Sequence, residues 1–293
     1  MTDAALLRPR EALWLISPTW LLLASVILVP AAFILWLSFQ ASSFGAAPRF
    51  VGLDNYAQVL TDPYFWRALR NTLAVVLIVV HVEMLAGLGM ALLFASGLRW
   101  RPLWLAVVLA PYAVSEVSAV IMWRFLWDPE AGLLSRALLA VGFPPLDWAL
   151  SPVAGLGLVC IISVWLTLPF TFVLLYAARL ALPAEVYEAA RVDGASAWQQ
   201  FRLVTWPLMR PAILVAMLFR YILAFRLFSE VWLTTNGGPA RTTEVVALYL
   251  YVEGFRYNSF GVAAATGWLM VVLALVVAVF YLRSFYKASF RAA

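Results

Sequence analysis

Cysteine and histidine are almost missing from this sequence: Cys160 and His81 are the single examples of each. One cysteine excludes a disulfide framework and a multi-cysteine metal site. Its place in an apolar run suits a small buried hydrophobe. One histidine leaves no second imidazole to share a metal, so His81 reads as a packed polar residue and not a ligand. No G-x-x-x-x-G-K-[ST] occurs, so the chain has no P-loop to cradle ATP phosphates. No H-E-x-x-H and no G-x-S-x-G occurs either, so an intramembrane enzyme has no visible nucleophile, base or metal, and no catalytic residue is assigned. Charge is scarce, at 12% of residues, against about 25% in a soluble domain. The net +5 forms no basic stripe, which leaves no case for nucleic acid.

What fills the sequence is oil: 65% of residues are hydrophobic, with 14 Trp and 19 Phe. A helix needs about 20 apolar residues to cross hydrocarbon. Six runs meet that length, at about 14–39, 73–95, 103–126, 153–178, 213–233 and 260–282. The first is too long for a signal peptide and lacks a sensible cleavage site, so it reads as a span. Pro30, Pro111 and Pro169 fall inside runs and predict kinks. With the N-terminus inside, the inner segments hold Arg8, Arg10, Arg99, Arg101, Arg179, Arg191, Arg202, Arg210, Arg283, Lys287 and Arg291. The outer ones hold Arg49, Arg67, Arg70, Arg136, Arg241 and Arg256. Eleven against six predicts both termini in the cytoplasm. The fold class is therefore all-α integral membrane, a single transmembrane domain over 1–293 with six spans. The outer connection after span five reads as a Gly-Gly-Pro turn followed by a short amphipathic helix near the outer surface.

One polar segment, about 182–211, interrupts the oil between spans four and five. Pro183 suits the first position of a helix. Glu185 and Glu188 favour a helix N-terminus, and Asp193-Gly194 supplies a stop. "SAWQ", from Ser196 to Gln199, has capping-box spacing. The segment reads as helix, tight turn, helix, with Pro207 and Pro211 ending the second helix. Resting on the membrane surface is one reading, but the segment lacks the basic face that anionic lipid favours. Docking a small-residue, carboxylate-bearing helix in a protein groove is the other.

"EAARVDGASAWQQFRLVTWPLMRP" resembles the EAA loop of binding-protein-dependent ABC importer permeases. The matching positions are Glu188, Ala189, Ala190, Asp193, Gly194, Ala195, Trp198, Phe201, Pro207, Arg210 and Pro211. Trp206 departs from the usual leucine. "FVGLDNYAQVLTDPYFWRALRNTL", "WDPEAGLLSRALLAVGFPPLDW" and "TTNGGPARTTEVVALYLYVEGF" resemble the carbohydrate-uptake branch, so the likeness spans nearly the whole chain. The resemblance implies a permease half in a bacterial inner membrane, with a second homologous permease, two ATPase subunits and an external binding protein or lipoprotein. It implies no cofactor in this chain, with ATP and Mg in the ATPase subunits. It makes the loop the coupling element, with Glu188 as the first choice for a charged contact and Gly194 for the turn.

In that branch spans four and five line the substrate path. Here span four shows Ser163, Leu166, Thr167 and Phe170 at i, i+3, i+4, i+7. Span five shows Arg220, Leu223, Ala224 and Leu227 at the same spacing. These are the path candidates, and ordinary helix packing is the competing reading. Charges within spans face a cavity or a partner. Glu83, Glu116, Arg124, Arg226 and Glu230 join Arg220 in that class. Arg226 and Glu230 have the spacing to pair along span five, while Glu83 or Glu116 has the charge to neutralise Arg220. Gly87 with Ala91, and Gly261 with Ala265, are spaced for close helix approach within the chain. The expected cargo is a sugar, with a disaccharide such as trehalose or maltose first, and an ion-coupled secondary transporter or channel is the alternative.

Overall fold

A computed structural model describes the backbone of residues 9–290 and the side chains of residues 13–284. Arg8 and Arg291, and the side chains of Arg10 and Lys287, which entered the charge count above, lie outside the described residues. Among the described residues, five helices are long and apolar enough to cross a membrane, and a bent pair brings the number to six. The described residues fall in two compact units, one within Met1–Thr61 and Leu250–Trp268, the other within Asp62–Tyr249 and Leu269–Ala293.

In the first unit, α1 (Pro9–Ser38) is a long apolar helix with almost nothing buried, as a lipid-facing span requires. Two short antiparallel strands follow, β1 (Gln40–Ala41) and β2 (Arg49–Phe50), in the register Gln40 to Phe50. Helix α2 (Asp54–Thr61) carries Asn55, whose amide donates to the carbonyls of Ser38 and Gln40 at 2.8 and 2.9 Å. The start of α13 (Phe260–Phe290) passes so close that any Cβ at Gly261 would collide with the Gln40 carbonyl. Glycine is obligatory there, and its packing is within the chain.

The second unit is built on three helices: α3 (Pro63–Ala95), α7 (Pro152–Leu180) and α10 (Trp206–Ala224). In α3, Val75, Val76, Val79, Val80, Glu83, Met84, Gly87 and Ala91 are buried, the stripe of a helix with one packed side. Gly87 lets α3 approach α7 closely, for a Cβ there would stand 3.0 Å from Thr171. Below it Phe94 meets Phe172 edge-on at 5.0 Å, and Phe172 stacks on Tyr176. Cys160 is buried in α7, as its apolar setting predicts. His81 differs from expectation: it is exposed on α3, its Nδ1 bonded to the Leu77 carbonyl one turn back at 2.8 Å.

Two predicted spans need correction. The third, 103–126, is not one straight helix. Helix α4 (Arg101–Leu109) tightens into a 3-10 turn at Ala110–Ala113, and α5 (Glu116–Leu126) departs at 102°. Pro111 lies in that turn, where it can donate no helical hydrogen bond, and Val114 and Ser115 then adopt extended ψ values of 133° and 136°. The fifth, 213–233, stops early and starts early. It ends at Ala224, and Phe228, at φ −137°, separates it from α11 (Ser229–Thr234). At the other end, Pro207 and Pro211 do not break it. The helix runs unbroken from Ala197 to Ala224 because the turn before Pro207 widens into a π turn over Phe201–Thr205. There Trp206 N–H donates five residues back to Phe201, which makes room for the proline ring. The second span also begins earlier than predicted, at Pro63, capped by Asp62.

The turn after α11 holds Gly237 at φ +79° and a cis Gly238–Pro239 bond. The helix expected beyond it is present as α12 (Val246–Tyr251), with Val246, Leu248 and Tyr249 buried. Helix α6 (Leu133–Ala140) lies in the connection between spans three and four.

Candidate functional site

Against the core of the second unit opens a cavity of about 460 Å³. All eight path candidates line it: Ser163, Leu166, Thr167 and Phe170 from α7, and Arg220, Leu223, Ala224 and Leu227 from α10 and the turn after it. Glu116, Arg226 and Glu230 line it too. The spacing argument missed Val75, Val76 and Val79 on α3, and Pro111, Tyr112 and Val114 at the broken span. A signal for both existed. Val76 and Val79 share a helical face with Glu83, and Pro111 marked an interruption in an apolar run.

Behind the cavity wall, Arg220 and Glu83 form a two-point ion pair. Arg220 donates Nε–H to Oε2 and Nη2–H to Oε1, the latter at 2.9 Å. Arg220 also donates to Thr167 Oγ1 at 2.9 Å, Thr167 donates to Glu83 Oε1, and Thr171 donates to Oε2 at 3.3 Å. The Glu83 side chain is 0% exposed and that of Arg220 is 5% exposed. Removing one partner of such a pair costs about 3–5 kcal/mol, because the other charge stays buried alone. One network thus pins α3, α7 and α10 together.

The other charges sort differently. Glu116 does not neutralise Arg220; it stands beside Glu230, within hydrogen-bonding reach. Ser163 donates to Glu230 Oε1 at 3.3 Å. Arg226 and Glu230 do not pair: α10 ends at Ala224 and α11 begins at Ser229, so Arg226 lies in the turn and their spacing of four no longer stacks them on one helical face. Arg124 donates to the Leu233 carbonyl at 2.8 Å and lies over the Trp148 ring.

The polar segment forms a helical hairpin, α8 (Ala184–Val192), then α9 (Ala197–Gln200). Pro183 stands just before α8, one residue earlier than expected. Gly194 takes φ +75°, and Ala195 N–H returns to the Ala190 carbonyl at 2.9 Å, closing the helix end. The capping box is complete: Ser196 accepts from Gln199 N–H, and the Gln199 side chain accepts from Ser196 N–H at 2.8 Å. The arms are tied by Tyr187 Oη to Thr205 Oγ1 at 3.0 Å, with the Arg179 guanidinium 4.2 Å above the Tyr187 ring. The outer face is open. Glu188, Ala189, Asp193, Gly194 and Pro207 are exposed, Ala190, Ala195 and Phe201 are half-buried, and Trp198 is 66% exposed. Trp198 stacks on Phe201 at 5.4 Å, and Phe201 in turn approaches the aberrant Trp206 at 6.3 Å. Glu188 and Arg191 face each other at 3.8 Å in solvent, a contact of little energy.

Hairpin and cavity share their helices. The hairpin's first arm follows directly from α7, and its second arm is the start of the Ala197–Ala224 helix. At 1.5 Å per residue that rod is about 40 Å long. It carries Trp198 near one end and Arg220 near the other.

Residues 11–291 match the family model for binding-protein-dependent transport system inner membrane components. The chain belongs to that family. Among curated relatives of this permease, the trehalose transport system permease protein SugA of Mycobacterium tuberculosis is 35% identical over 98% of this chain and 92% of its own length. The trehalose/maltose transport system permease protein MalF of Thermococcus litoralis is 32% identical, over 92% and 91%. The permease shares its fold with a solved bacterial alginate ABC transporter, crystallised with an alginate pentasaccharide-bound periplasmic protein. The TM-score is 0.80, with 22% identity, over 92% of this chain and 93% of that one. The protein is thus a multi-pass membrane permease and a transport subunit, not an enzyme.

Proposed function

We propose that this permease is one half of the membrane path of an ATP-driven sugar importer in a bacterial inner membrane. A disaccharide such as trehalose or maltose passes from an external binding protein through the cavity of the second unit. The 293 residues act as one transmembrane domain with both termini in the cytoplasm. A second homologous permease closes the path, and two separate ATPase subunits bind ATP and Mg and grip the 182–211 hairpin. Glu188, Ala189, Ala190, Asp193, Gly194, Ala195, Trp198, Phe201 and Pro207 form the gripped surface or its frame.

The observation that carries this reading is the continuous Ala197–Ala224 helix, which joins the exposed elbow to the cavity wall. Motion imposed at Trp198 is delivered at Arg220 along one continuous helix, as rigid-body rocking requires. The ion pair to Glu83 and Thr167 carries it on to α3 and α7. Sugar as cargo is supported by the two relatives named for trehalose and maltose transport.

The test is ATP-driven uptake of labelled trehalose and maltose by the importer reconstituted in vesicles. Gly194→Val is expected to insert normally, lose its ATPase on purification and lose uptake. Arg220→Ala is expected to change uptake while the ATPase stays attached. Normal uptake by Gly194→Val defeats the coupling assignment, and ATPase-independent uptake by the wild type defeats the whole proposal.

A further inference from the structure

Nine residues make up α8, and none of their side chains is buried. Tyr187 and Ala190 turn partly inward, and the seven others are exposed. Burial therefore does little to fix the angle of this arm. The turn at Gly194 joins it to the Ala197–Ala224 rod at one corner. Two rods joined at one corner open like scissors unless something spans the open end. Tyr187 and Thr205 span it, with Oη 3.0 Å from Oγ1. Thr205 directs its own hydrogen to the Gln200 carbonyl, at 3.4 Å, so Tyr187 is the donor between the two hydroxyls. Thr205 closes the π turn and is 4% exposed, and Met209, four residues on, packs in the core with Phe172 and Leu175 of α7. The far foot of the contact thus stands on the body of the second unit. Arg179, in the last turn of α7, holds its guanidinium 4.2 Å from the centre of the Tyr187 ring. One half-buried side chain is where α7, α8 and the rod meet.

We infer that Tyr187 is a positioning residue for the coupling step: its hydroxyl holds α8 at one angle to the rod, so that both arms, and α7 and α10 with them, move as one body. The inference rests on the coupling reading above and adds the contact that makes the elbow stiff. Tyr187 faces inward, while Glu188 and Ala189 of the proposed gripped surface are exposed, so it acts through the angle of α8 and not by touching the ATPase. Without its bond, a push on Glu188 and Ala189 goes partly into opening the hairpin, and ATP is hydrolysed without the cavity wall moving. The net worth of one neutral hydrogen bond corresponds to roughly a threefold to tenfold change in such an equilibrium.

The experiment reads sugar transported per ATP hydrolysed. It uses the whole importer in vesicles, with its binding protein and labelled trehalose or maltose. Tyr187→Phe keeps the ring beside Arg179 and removes the donor. It is expected to keep its ATPase on purification and to go on hydrolysing ATP, while sugar per ATP falls at least about threefold, the low end of that range. Thr205→Val is expected to do the same, and Thr205→Ser, which keeps the acceptor, to stay within about twofold of the wild type, below the low end of that range. The double variant Tyr187→Phe/Thr205→Val is expected to lose no more than either single variant, because both remove one bond. A second measurement needs no transport: the distance between spin labels at Glu185→Cys and Arg202→Cys, both exposed, in a Cys160→Ala background. Tyr187→Phe is expected to lengthen and broaden it. An unchanged sugar-to-ATP ratio in Tyr187→Phe overturns the inference, as does an unchanged distance. Losses that multiply in the double variant overturn it too, for the two residues then act separately. Loss of the ATPase from Tyr187→Phe assigns the residue to the docking surface and overturns its positioning role. A wild type that takes up neither sugar overturns the cargo, and the distance measurement then decides this inference alone. A wild type that binds no ATPase overturns the coupling reading, and this inference with it.

Discussion

Two bends in the second unit reverse the chain with similar economy and are held in opposite ways. The hairpin between α7 and α10 is fixed by its own neighbours: Gly194 at φ +75°, the Ser196–Gln199 box, and Gln200 Nε2 donating to the Ala195 carbonyl. The turn between α11 and α12 is fixed from far along the chain. Asn71 of α3 donates to the carbonyls of Thr242 and Glu244, at 2.7 and 2.9 Å. Thr72 accepts from Val246 N–H at 2.9 Å, and Tyr249 donates to Asp62 at 2.8 Å. Arg241 lies 4.3 Å above the Tyr64 ring while its guanidinium holds the buried Glu244. The first bend keeps its surface open and draws on nothing farther away than the ends of the helices that flank it, through Arg179 and Thr205. The second is part of the body. On the proposed coupling, a gripped surface has to be shaped before its partner arrives, and local bonds do this at the least cost in exposed area.

The largest effect should come from cutting the long-range hold. Asn71→Leu removes the donor to two carbonyls, that of half-buried Thr242 and that of buried Glu244. Each orphaned group costs about 1–3 kcal/mol. The apparent unfolding midpoint of the purified protein should fall by about 5 °C or more, using roughly 2–4 °C per kcal/mol at this chain length. Hydrogen exchange should accelerate across Thr242–Val246 and not in the hairpin. An unchanged midpoint would mean the turn is self-supporting, and the contrast between the bends would disappear.

That contrast also explains which parts of the molecule the sequence revealed. The hairpin's turn was readable because each of the turn's determinants lies within six residues of its partner: Asp193-Gly194, Ser196 with Gln199, Ala190 with Ala195. The cavity faces of α7 and α10 were readable because helical periodicity needs only one helix at a time. The Glu83–Arg220 pair was legible as a possibility, since two opposite charges in oil seek each other, but the separation of 137 residues left Glu116 as an equal candidate. What escaped was set by packing. Nothing local at Asn71 shows that it holds a turn 171 residues later. The end of the fifth span at Ala224 was hidden because no proline or glycine marks it, and the fact that Pro207 does not end a helix depended on a π turn upstream. The bend at Val114–Ser115 was foreshadowed by Pro111, but its 102° angle was not.

A smaller effect separates conformation from bulk at the hairpin turn. A Cβ at Gly194 meets nothing within 4 Å, so the strain of a substitution there comes from φ alone. Asparagine visits the left-handed region readily, whereas valine pays roughly 1–2 kcal/mol to do so. Gly194→Asn should therefore retain ATPase co-purification where Gly194→Val loses it, and both should keep the wild-type unfolding midpoint within about 2 °C, since the bend contributes little to the global transition. If Asn fails as completely as Val, the turn is constrained by the partner's surface and not by its own backbone.

The smallest effect is also the most local. Ser196→Ala removes the hydroxyl that accepts from Gln199 N–H and leaves the reciprocal bond from Gln199 to Ser196 N–H in place. Loss of an N-cap costs about 1 kcal/mol in a helix that depends on it. Here α9 is only the first turn of a 28-residue rod, so the rest of the helix holds and the cost is confined to its end. Fraying should appear as roughly fivefold faster amide exchange at Gln199 and Gln200, the factor that corresponds to about 1 kcal/mol, with no change at Arg220 and no change in midpoint. If faster exchange instead spreads along the rod to the cavity, the elbow and the cavity wall unfold as one cooperative unit, and the open bend belongs to the body after all.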